Sequence, residues 1–565
     1  MAVLERSVRT VRLGPLPLLN HFLDRLGLPA LLERFVPTTD RRCRLPYAKG
    51  LGVLVRSLLV EREPIYRQQE TVAGFAPDSF GLSADEVEHL HDDTIGRGLD
   101  RLFEIDRGSL LTEVVVAAGR NFDIRMREVH QDTTSIRFTG QYRAARGRSI
   151  RGRRAPWITY GHSKDHRPDL KQLLCVLATS ADGGVPVQFR CADGNVSDAR
   201  THIEIWEGLV RVTGRRDFLY VADSKLCSGE NLDHIDRRRG RFVVVLPRTR
   251  REDAEFRRWI VDHEVAWETI WDRPHPRRRQ GPRDVWRVVR APLPSREGWP
   301  VVWVWNSLLT LQHEQSRRAR MARAIQDLER LRSRLEGPRP RLRSRIEVER
   351  LARRVISHFK VERYLRLRVE TEQESRFVQE QRGRPGPETR YRRLVRERVQ
   401  LRWDIDEAQI AFDRKSDGMY PLLTNDSRLS GRQVLEAHKR QPVLEKRFEQ
   451  LKSVYEIAPI FLKNEARIEA LFFLYFLALL VQAVIERELR LAMRREGIES
   501  LPLYPEERRC HQPTAEQIFR LYSHVEGHVM THGRNTEILQ PMLNEIQLQV
   551  LKLLGVPKSR CTIRV

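Results

Sequence analysis

The sequence predicts a mixed α/β fold in which a sheet core is interrupted by a large insertion and flanked by helical N-terminal and C-terminal regions. Three observations predict it. Between about residues 126 and 247 short apolar strands alternate with amphipathic helices. From 248 to 415 that texture gives way to an arginine-rich stretch with helices and strands of its own, and at both ends of the chain the periodicity is helical.

At 565 residues the chain exceeds one compact core and implies about three or four folding units. Lys plus Arg number 101 against 76 Asp plus Glu, a formal charge of +25. The arginines are spread along the whole chain, so the field favours a polyanionic partner, nucleic acid first. A solubility charge or a ribosome-associated tail is the plainer alternative. The six cysteines, Cys43, Cys175, Cys191, Cys227, Cys510 and Cys561, form no CxxC pair and no regular framework. That pattern points away from disulfides and a zinc site and toward a reducing compartment. The opening MAVLERSVRTVRLG lacks the apolar core and cleavage site of a signal peptide, so export is not expected. The run from Ala470 to Ile485 is apolar except for Gln482. It falls short of the about 20 residues that span a bilayer and continues into ERELR, so it reads as a buried helix, with no membrane partner.

Residues 1–115 read as a helical region that binds DNA, with amphipathic pieces punctuated by proline and glycine. Ser83 and Glu86 have capping-box spacing for a helix over Asp85 to Leu90, and a second helix is expected from Thr94 to Phe103. Two short helices joined by a tight turn fit a helix-turn-helix or an ordinary helical bundle. His91, Asp92 and Asp93 resemble metal ligands on paper, but adjacent helical residues do not converge on one point. Asp93 is expected as an N-cap.

Residues 120–247 form the first part of the core. MREVHQDTTSIRF and KQLLCVLATS read as strands, ADGG as the turn, and VPVQFRC as a third strand, which together make an antiparallel meander. After the turn DGNVSD, where Asn195 and Asp198 shape the chain and Ser197 or Asp198 caps, come a helix, the strand DFLYVADS, a helix near ENLDHIDRRR and the strand RFVVVLP. A ribonuclease H-like fold has this order. The insertion, 248–415, holds strand-like DVWRVVRAPL and WPVVWVWNS, then a helix whose face is marked by Ile325, Leu328, Leu331 and Leu335. GPRP at 337 to 340 breaks it, a second helix is marked by Leu342, Ile346, Leu351, Val355 and Phe359, and strand-like RYLRLRVETE and QLRWDIDEAQIAF follow. Residues 416–495 form the second part of the core, with Asp417 and Asn425 fixing its re-entry strand, and 496–565 a helical C-terminal region.

Three acids carry the candidate chemistry. Phosphodiester cleavage and transfer are served by two divalent ions about 4 Å apart, and magnesium prefers carboxylate and water oxygens. Asp132 lies within the first core strand, and Asp223 ends the apolar strand FLYVADS on the face of Leu219 and Val221. An acid on an apolar face is costly unless a metal or an Arg compensates it. The third acid belongs on a helix beside the first strand. Glu445 fits, with Phe448 and Lys452 at i+3 and i+7 on the same helical face. Glu449 is its nearest competitor, and a solvated helix rich in Glu and Lys is the plain alternative.

These residues resemble the DDE transposases of bacterial insertion sequences, in the subgroup marked by a Tyr-Arg-Glu-Lys signature on the glutamate helix. Six residues separate Glu445 and Lys452, as in that signature. Its Tyr position falls on His438 and its Arg position on Gln441, with Lys439 and Arg440 immediately before, so Arg440 is taken as the phosphate-contacting arginine. HQDTTS, GHSKDHRPDLKQ, DGNVSD, VADSKL and DGMYPLLTND are also family-like, and the likeness spans roughly 125 to 490.

The resemblance implies an enzyme that binds terminal inverted repeats and catalyses DNA cleavage and strand transfer. Its cofactors would be two Mg2+ or Mn2+ on Asp132, Asp223 and Glu445. DNA would lie along Lys452, Arg440, Lys439 and His438 and along a path containing His162, Lys164, Asp165, His166, Asp169 and Lys171. Expected partners are double-stranded transposon ends and target DNA, with a homodimer in the complex, in the bacterial cytoplasm at the nucleoid. A nuclease or resolvase that hydrolyses without joining ends, and a domesticated non-catalytic DNA-binding protein, are the alternatives.

Overall fold

The structure is a computed structural model that describes residues 6–563, apart from 279, 337–341, 343, 455–461, 533 and 534. The GPRP run at 337 to 340 and the Asp198 side chain lie outside the described residues. The chain forms two compact units, one of Met1–Val244, Thr424–Asp426 and Glu436–Val565 and the other of Val245–Leu423 and Ser427–Leu435.

The first unit opens with strand β1 (Arg6–Arg12) and then a set of helices. Ser83 and Glu86 make the expected capping box, but on a helix of only four residues, Ala84–Val87. The next helix, Asp92–Glu104, starts at His91, so Asp93 sits in its first turn and is not the cap. There its charge favours the helix dipole. The same helix buries Ile95, Leu99, Leu102 and Phe103 and packs on Tyr47–Val60 and Glu465–Arg495. This is the packing of a helical bundle.

The core strands follow: β2 (Glu128–Phe138), a short hairpin of β3 (Ser149–Ile150) and β4 (Arg153–Arg154), β5 (Lys171–Ser180), β6 (Pro186–Ala192), β7 (Leu219–Ala222) and β8 (Arg241–Val245). Their order across the sheet is β6-β5-β2-β7-β8. β2, β5 and β6 are antiparallel neighbours, and β7 and β8 run parallel to β2. Helices His202–Thr213 and Gly229–Arg237 make the two crossovers. This is the mixed sheet of a ribonuclease H-like core. β5 is buried along almost its whole length, which accounts for its unbroken apolar text.

One turn ties this sheet to two helices. Gly183 and Gly184 both have positive φ, 81° and 63°, which glycine alone adopts without strain. A side chain at either would run into Arg487 or Val443. Arg447 donates to the carbonyls of Gly184 and Gly183, each at 2.9 Å, to Gln450 at 2.7 Å and to Glu486 at 2.7 Å. Arg487 grips the Asp182 carboxylate at 2.6 and 2.9 Å and the carbonyls of Phe122 and Asp123. Burial pushes the Glu486 carboxyl up, but the charges of Arg447 and Arg490 outweigh it and hold it below its ordinary value.

Glu486 and Arg487 belong to the helix Glu465–Arg495, whose apolar run is the one long and apolar enough to cross a membrane among the described residues; 94% of that window is buried inside the protein. Arg467 on it pairs with Asp100 at 2.8 Å, and Glu469 with Arg107 at 2.8 Å. Each apolar helix is thereby pinned in register by buried or half-buried charge.

The second unit contains β9 (Glu268–Arg273), β10 (Asp284–Arg290), β11 (Val301–Asn306), the long pair β12 (Leu365–Gln379) and β13 (Tyr391–Ile405), and β14 (Met419–Thr424). Strands β14-β11-β10-β9 lie side by side, antiparallel throughout. Helices Ser307–Ser333 and Arg345–His358 pack on the β12–β13 ribbon. Leu328, Leu331 and Leu335 are buried as expected; on the second side Leu342 is buried and Leu351, Val355 and Phe359 pack part-buried against the same cluster, with Val348, Ala352 and Ile356 as the buried stripe, while Ile346 is 80% exposed. The spacing of four brings those three into one stripe, and alanine at its centre permits close approach. DIDEAQIAF is not all strand, because Asp406 caps a helix at Glu407–Arg414 by accepting from the Gln409 amide. Asp417 receives the buried Arg317 guanidinium at 3.1 Å.

The chain closes in the first unit with β15 (Glu526–His532) and β16 (Asn535–Leu539) between helices Ala515–Tyr522 and Glu545–Leu554. β15 pairs with both β1 and β16, so the terminal regions carry a three-stranded sheet besides their helices. Neither edge strand has the apolar alternation that would show it in the sequence. In this unit Asn425 donates to Gly240 and accepts from the Phe242 amide, fixing the entry to β8.

Arg447→Ala strands the buried Glu486 carboxylate, and denaturant unfolding is expected to show a loss of about 3–5 kcal/mol. The double change Arg447→Leu with Glu486→Leu is expected to lose clearly less; equal losses would contradict this account.

Candidate active site

The parallel ladder between β2 and β7 pairs Glu128 with Leu219, Val129 with Tyr220 and His130 with Val221. Asp132 and Asp223 each stand two residues beyond the last of these pairs. They therefore sit at one level, on one face, of strands about 4.8 Å apart. β7 ends at Ala222, and the Asp223 carboxylate caps the turn that follows, accepting from the Lys225 amide at 2.9 Å. The carboxyl end of a parallel strand is where open α/β sheets build their sites.

Asp132 is half-buried. Its carboxylate accepts from the Thr133 amide at 2.7 Å and has the Lys164 ammonium 3.6 Å away. Lys164 is itself held by the Thr133 carbonyl at 2.6 Å. The positive charge required beside this acid is thus a lysine from the loop before β5. Two adjacent carboxylates with a cation already balanced against one of them suit a hard divalent ion.

Glu445 lies in the first turn of the helix Pro442–Glu449, with Pro442 at its start. That helix packs on β2 and β5 and continues as a π-helical turn, Gln450–Val454. Leu444, Arg447, Phe448 and Leu451 face inward, whereas Glu445 and Glu449 are exposed. Phe448 is buried and Lys452 is part-buried in the π turn that follows, while Glu445 is exposed. Among the described residues no three His, Cys, Asp or Glu side chains converge as metal ligands. Asp132 and Asp223 each stand two residues beyond the end of the β2–β7 ladder, and Glu445 lies on a helix packed against β2 and β5.

Arg440 forks onto Glu128 at 2.6 and 2.7 Å, and Glu128 also bonds His130 at 2.8 Å. Burial pushes the Glu128 carboxyl up, but the His130 and Arg440 hydrogen bonds outweigh it and hold it at about 2. Glu128 shares the β2 face of Asp132, so this fork seats the turn before the glutamate helix beside the candidate site. His438 is pushed down to about 4 by burial and by the charge of Lys439; it is a neutral ring at physiological pH. Lys439 itself is exposed. Lys452 donates to Asp165 at 2.8 Å, and Asp165 also faces Arg137 at 3.5 Å. His166 is exposed at φ +56°, and Lys171 reaches the Gln141 carbonyl. In the turn after β6, Ser197 precedes a 3-10 turn, Asp198–Thr201, without a capping side-chain bond, and the helix that follows starts at Thr201 instead; Asp193 accepts from the Trp157 amide at 2.9 Å.

Glu128 and Arg447 carry no signal in the sequence, since neither belongs to a recognisable spacing. The β12–β13 ribbon does have one: arginines alternate with apolar residues on both strands. Cross-strand register puts Glu374, Arg376, Arg392 and Arg396 on one face, and Phe377, Tyr391 and Val395 on the other, all three largely exposed.

A match to the family described as "Transposase DDE domain" runs from residue 131 to residue 481, more than half of the chain. The chain belongs to that family. Residues 8–116 match a second family, described as "Domain of unknown function (DUF4277)". No curated protein matches the chain. In this DDE transposase the matched span takes in Asp132, Asp223, Glu445 and Lys452.

Because the Glu128 carboxyl is held at about 2 against an ordinary value of 4.5, its contribution to stability is full above pH 4.5 and is lost as the pH falls through about 2. Arg440→Ala is expected to be less stable than the parent at neutral pH, with the gap closing between these two values in urea unfolding followed against pH. A gap that persists unchanged at pH 2 would contradict the assignment.

Proposed function

We propose that this DDE transposase serves a bacterial insertion sequence: it binds terminal inverted repeats and cleaves and transfers DNA strands through Asp132, Asp223 and Glu445. The observation that carries the reading is the level placement of Asp132 and Asp223 on adjacent parallel strands. It offers two carboxylates from one rigid sheet, and Glu445, on the helix packed against β2 and β5, supplies the third. Magnesium or manganese ions bound by these acids would activate the attacking oxygen and stabilise the leaving one in line.

The chain's own side chains do the rest. Lys164 balances the Asp132 charge and fixes the loop before β5 against β2. Lys452, steered by Asp165, presents an ammonium to a DNA phosphate. Arg440 acts through Glu128 as a positioning residue as well as the family-like arginine, with Lys439 exposed beside it, while His438, His166 and Lys171 line the same path. The ribbon β12–β13 reads as a further DNA surface, since a two-stranded ribbon fits a major groove and its arginines match phosphates. In this reading residues 1–115 contribute to DNA binding, 248–415 hold the transposon end, and 120–247 with 416–495 form the catalytic core closed by 496–565. A synaptic homodimer in the cytoplasm is the working assembly.

With oligonucleotides carrying the element's ends and magnesium, Asp132→Asn, Asp223→Asn and Glu445→Gln are each expected to lower strand transfer by at least about a thousandfold while end binding is retained. Normal transfer by any one would remove that residue from the site. Cleavage without joining by the parent would favour the hydrolytic nuclease instead. Replacing Arg376, Arg392 and Arg396 together by Ala is expected to weaken DNA binding and to flatten its salt dependence by up to about 0.9 in log–log slope per lost phosphate contact. An unchanged slope would take the ribbon out of the DNA surface.

A further inference from the structure

The second unit contains a cavity of about 540 Å³, within the usual range of about 300–1,000 Å³ for small-ligand sites. It is walled by the helices Arg251–Asp262, Ser307–Ser333 and Glu407–Arg414 and by the residues around Tyr364. Six arginines line it, Arg248, Arg257, Arg258, Arg317, Arg320 and Arg363, against three aspartates, Asp253, Asp413 and Asp417. Three positive charges are left over.

The carboxylates are already spent on half of the arginines. Arg257 forks onto Asp253 at 2.8 and 3.1 Å, Arg317 onto Asp417, and Arg363 meets Asp413 at 3.1 Å. The Asp413 carboxylate is further held by the Tyr364 hydroxyl at 2.6 Å. Among the described residues Arg258 and Arg320 donate only to backbone carbonyls, and Arg248 has no carboxylate partner. His313 completes the wall. Its Nδ1 accepts from the Gly418 amide at 3.1 Å, so the neutral ring carries its hydrogen on Nε2 as a further donor. Burial lowers the His313 pKa; Asp417 opposes it, and the charges of Arg248, Arg257 and Arg317 add to the lowering. Guanidinium forks match phosphate oxygens two at a time, and a concave wall of one sign concentrates the opposite ion.

We propose that this cavity is a binding site for a compact phosphoryl anion with two or three negative charges, supplied either by a free small polyphosphate or by the 5′-terminal phosphate of a DNA strand. Its lining residues all belong to the second unit, whereas Asp132, Asp223 and Glu445 belong to the first, and the site does not depend on their role. The three aspartates preset three guanidiniums, and Arg248, Arg258 and Arg320 supply the charge that the ligand neutralises.

The test is calorimetric titration of the full chain with sodium pyrophosphate at fixed ionic strength. Saturable one-to-one binding is expected, weakened at least tenfold by Arg248→Ala with Arg258→Ala, two exposed side chains whose loss leaves the ion pairs intact. A charge-matched control, Arg350→Ala with Arg354→Ala, two exposed side chains of the helix Arg345–His358, is expected to bind as the parent does. Absence of saturable binding, or equal weakening in the control, would overturn the proposal. Competition then distinguishes the sources. Displacement by a 5′-phosphorylated oligonucleotide but not by its unphosphorylated twin assigns the site to a DNA end, and displacement by neither assigns it to a free polyphosphate. Equal displacement by both would mean that the cavity is part of a general backbone-binding surface, which also overturns it.

Discussion

The buried pair of Arg447 and Glu486 is the constraint on which the catalytic unit depends. One guanidinium joins the turn between β5 and β6, the helix of Glu445 and the long apolar helix, through contacts of 2.7 to 2.9 Å. A buried charge pair is weak evidence for stability, but removing one member is costly, so the three elements are held in one arrangement. The glycines of the turn give the guanidinium room to reach backbone carbonyls that side chains would otherwise cover. Arg487, one residue on, repeats the same grip on the other side of the turn through Asp182. An otherwise featureless apolar helix thereby acquires a unique register against the sheet.

A formal charge of +25 suggests a surface built for a polyanion, yet several arginines serve the fold itself. Arg447, Arg467, Arg487 and Arg241 in one unit, and Arg250, Arg257 and Arg317 in the other, are cross-links between elements, each saturated by carboxylates or carbonyls. Arginine suits this work because its planar fork satisfies several acceptors at once and stays charged when half-buried. Other arginines line the ribbon β12–β13 and the cavity of the second unit. Net charge therefore speaks to the class of partner and not to its place.

The candidate site shows the same division. Asp132 is carried by β2 and Asp223 by the turn that follows β7, each two residues beyond the β2–β7 ladder. Glu445 is carried by a helix, and its position follows from what seats that helix: Arg440 on Glu128 at one end, Arg447 beneath, and the π turn whose Lys452 meets Asp165. A sheet acid is fixed by backbone hydrogen bonds, while a helix acid is fixed by side chains and can be retuned by them.

What the sequence determined by itself was the identity of the core strands, their interruption by a long stretch with helices and strands of its own, and the place of Asp132 within the first of those strands. Those features rest on local periodicity and on positions within single strands. The membership of the glutamate helix was legible only through its Glu445 to Lys452 spacing and a family likeness. Tertiary structure decided the rest. β1 and β15 stabilise each other across nearly the whole chain, so neither shows an independent signal. The stripe Val348, Ala352 and Ile356 replaced the larger Ile346 because packing partners, and not hydrophobicity alone, choose the buried face. Lys164 beside Asp132, Arg440 on Glu128 and Arg447 on Glu486 join residues far apart in the chain. No local pattern encodes such pairs, because only burial makes an unpaired charge expensive enough to select its partner.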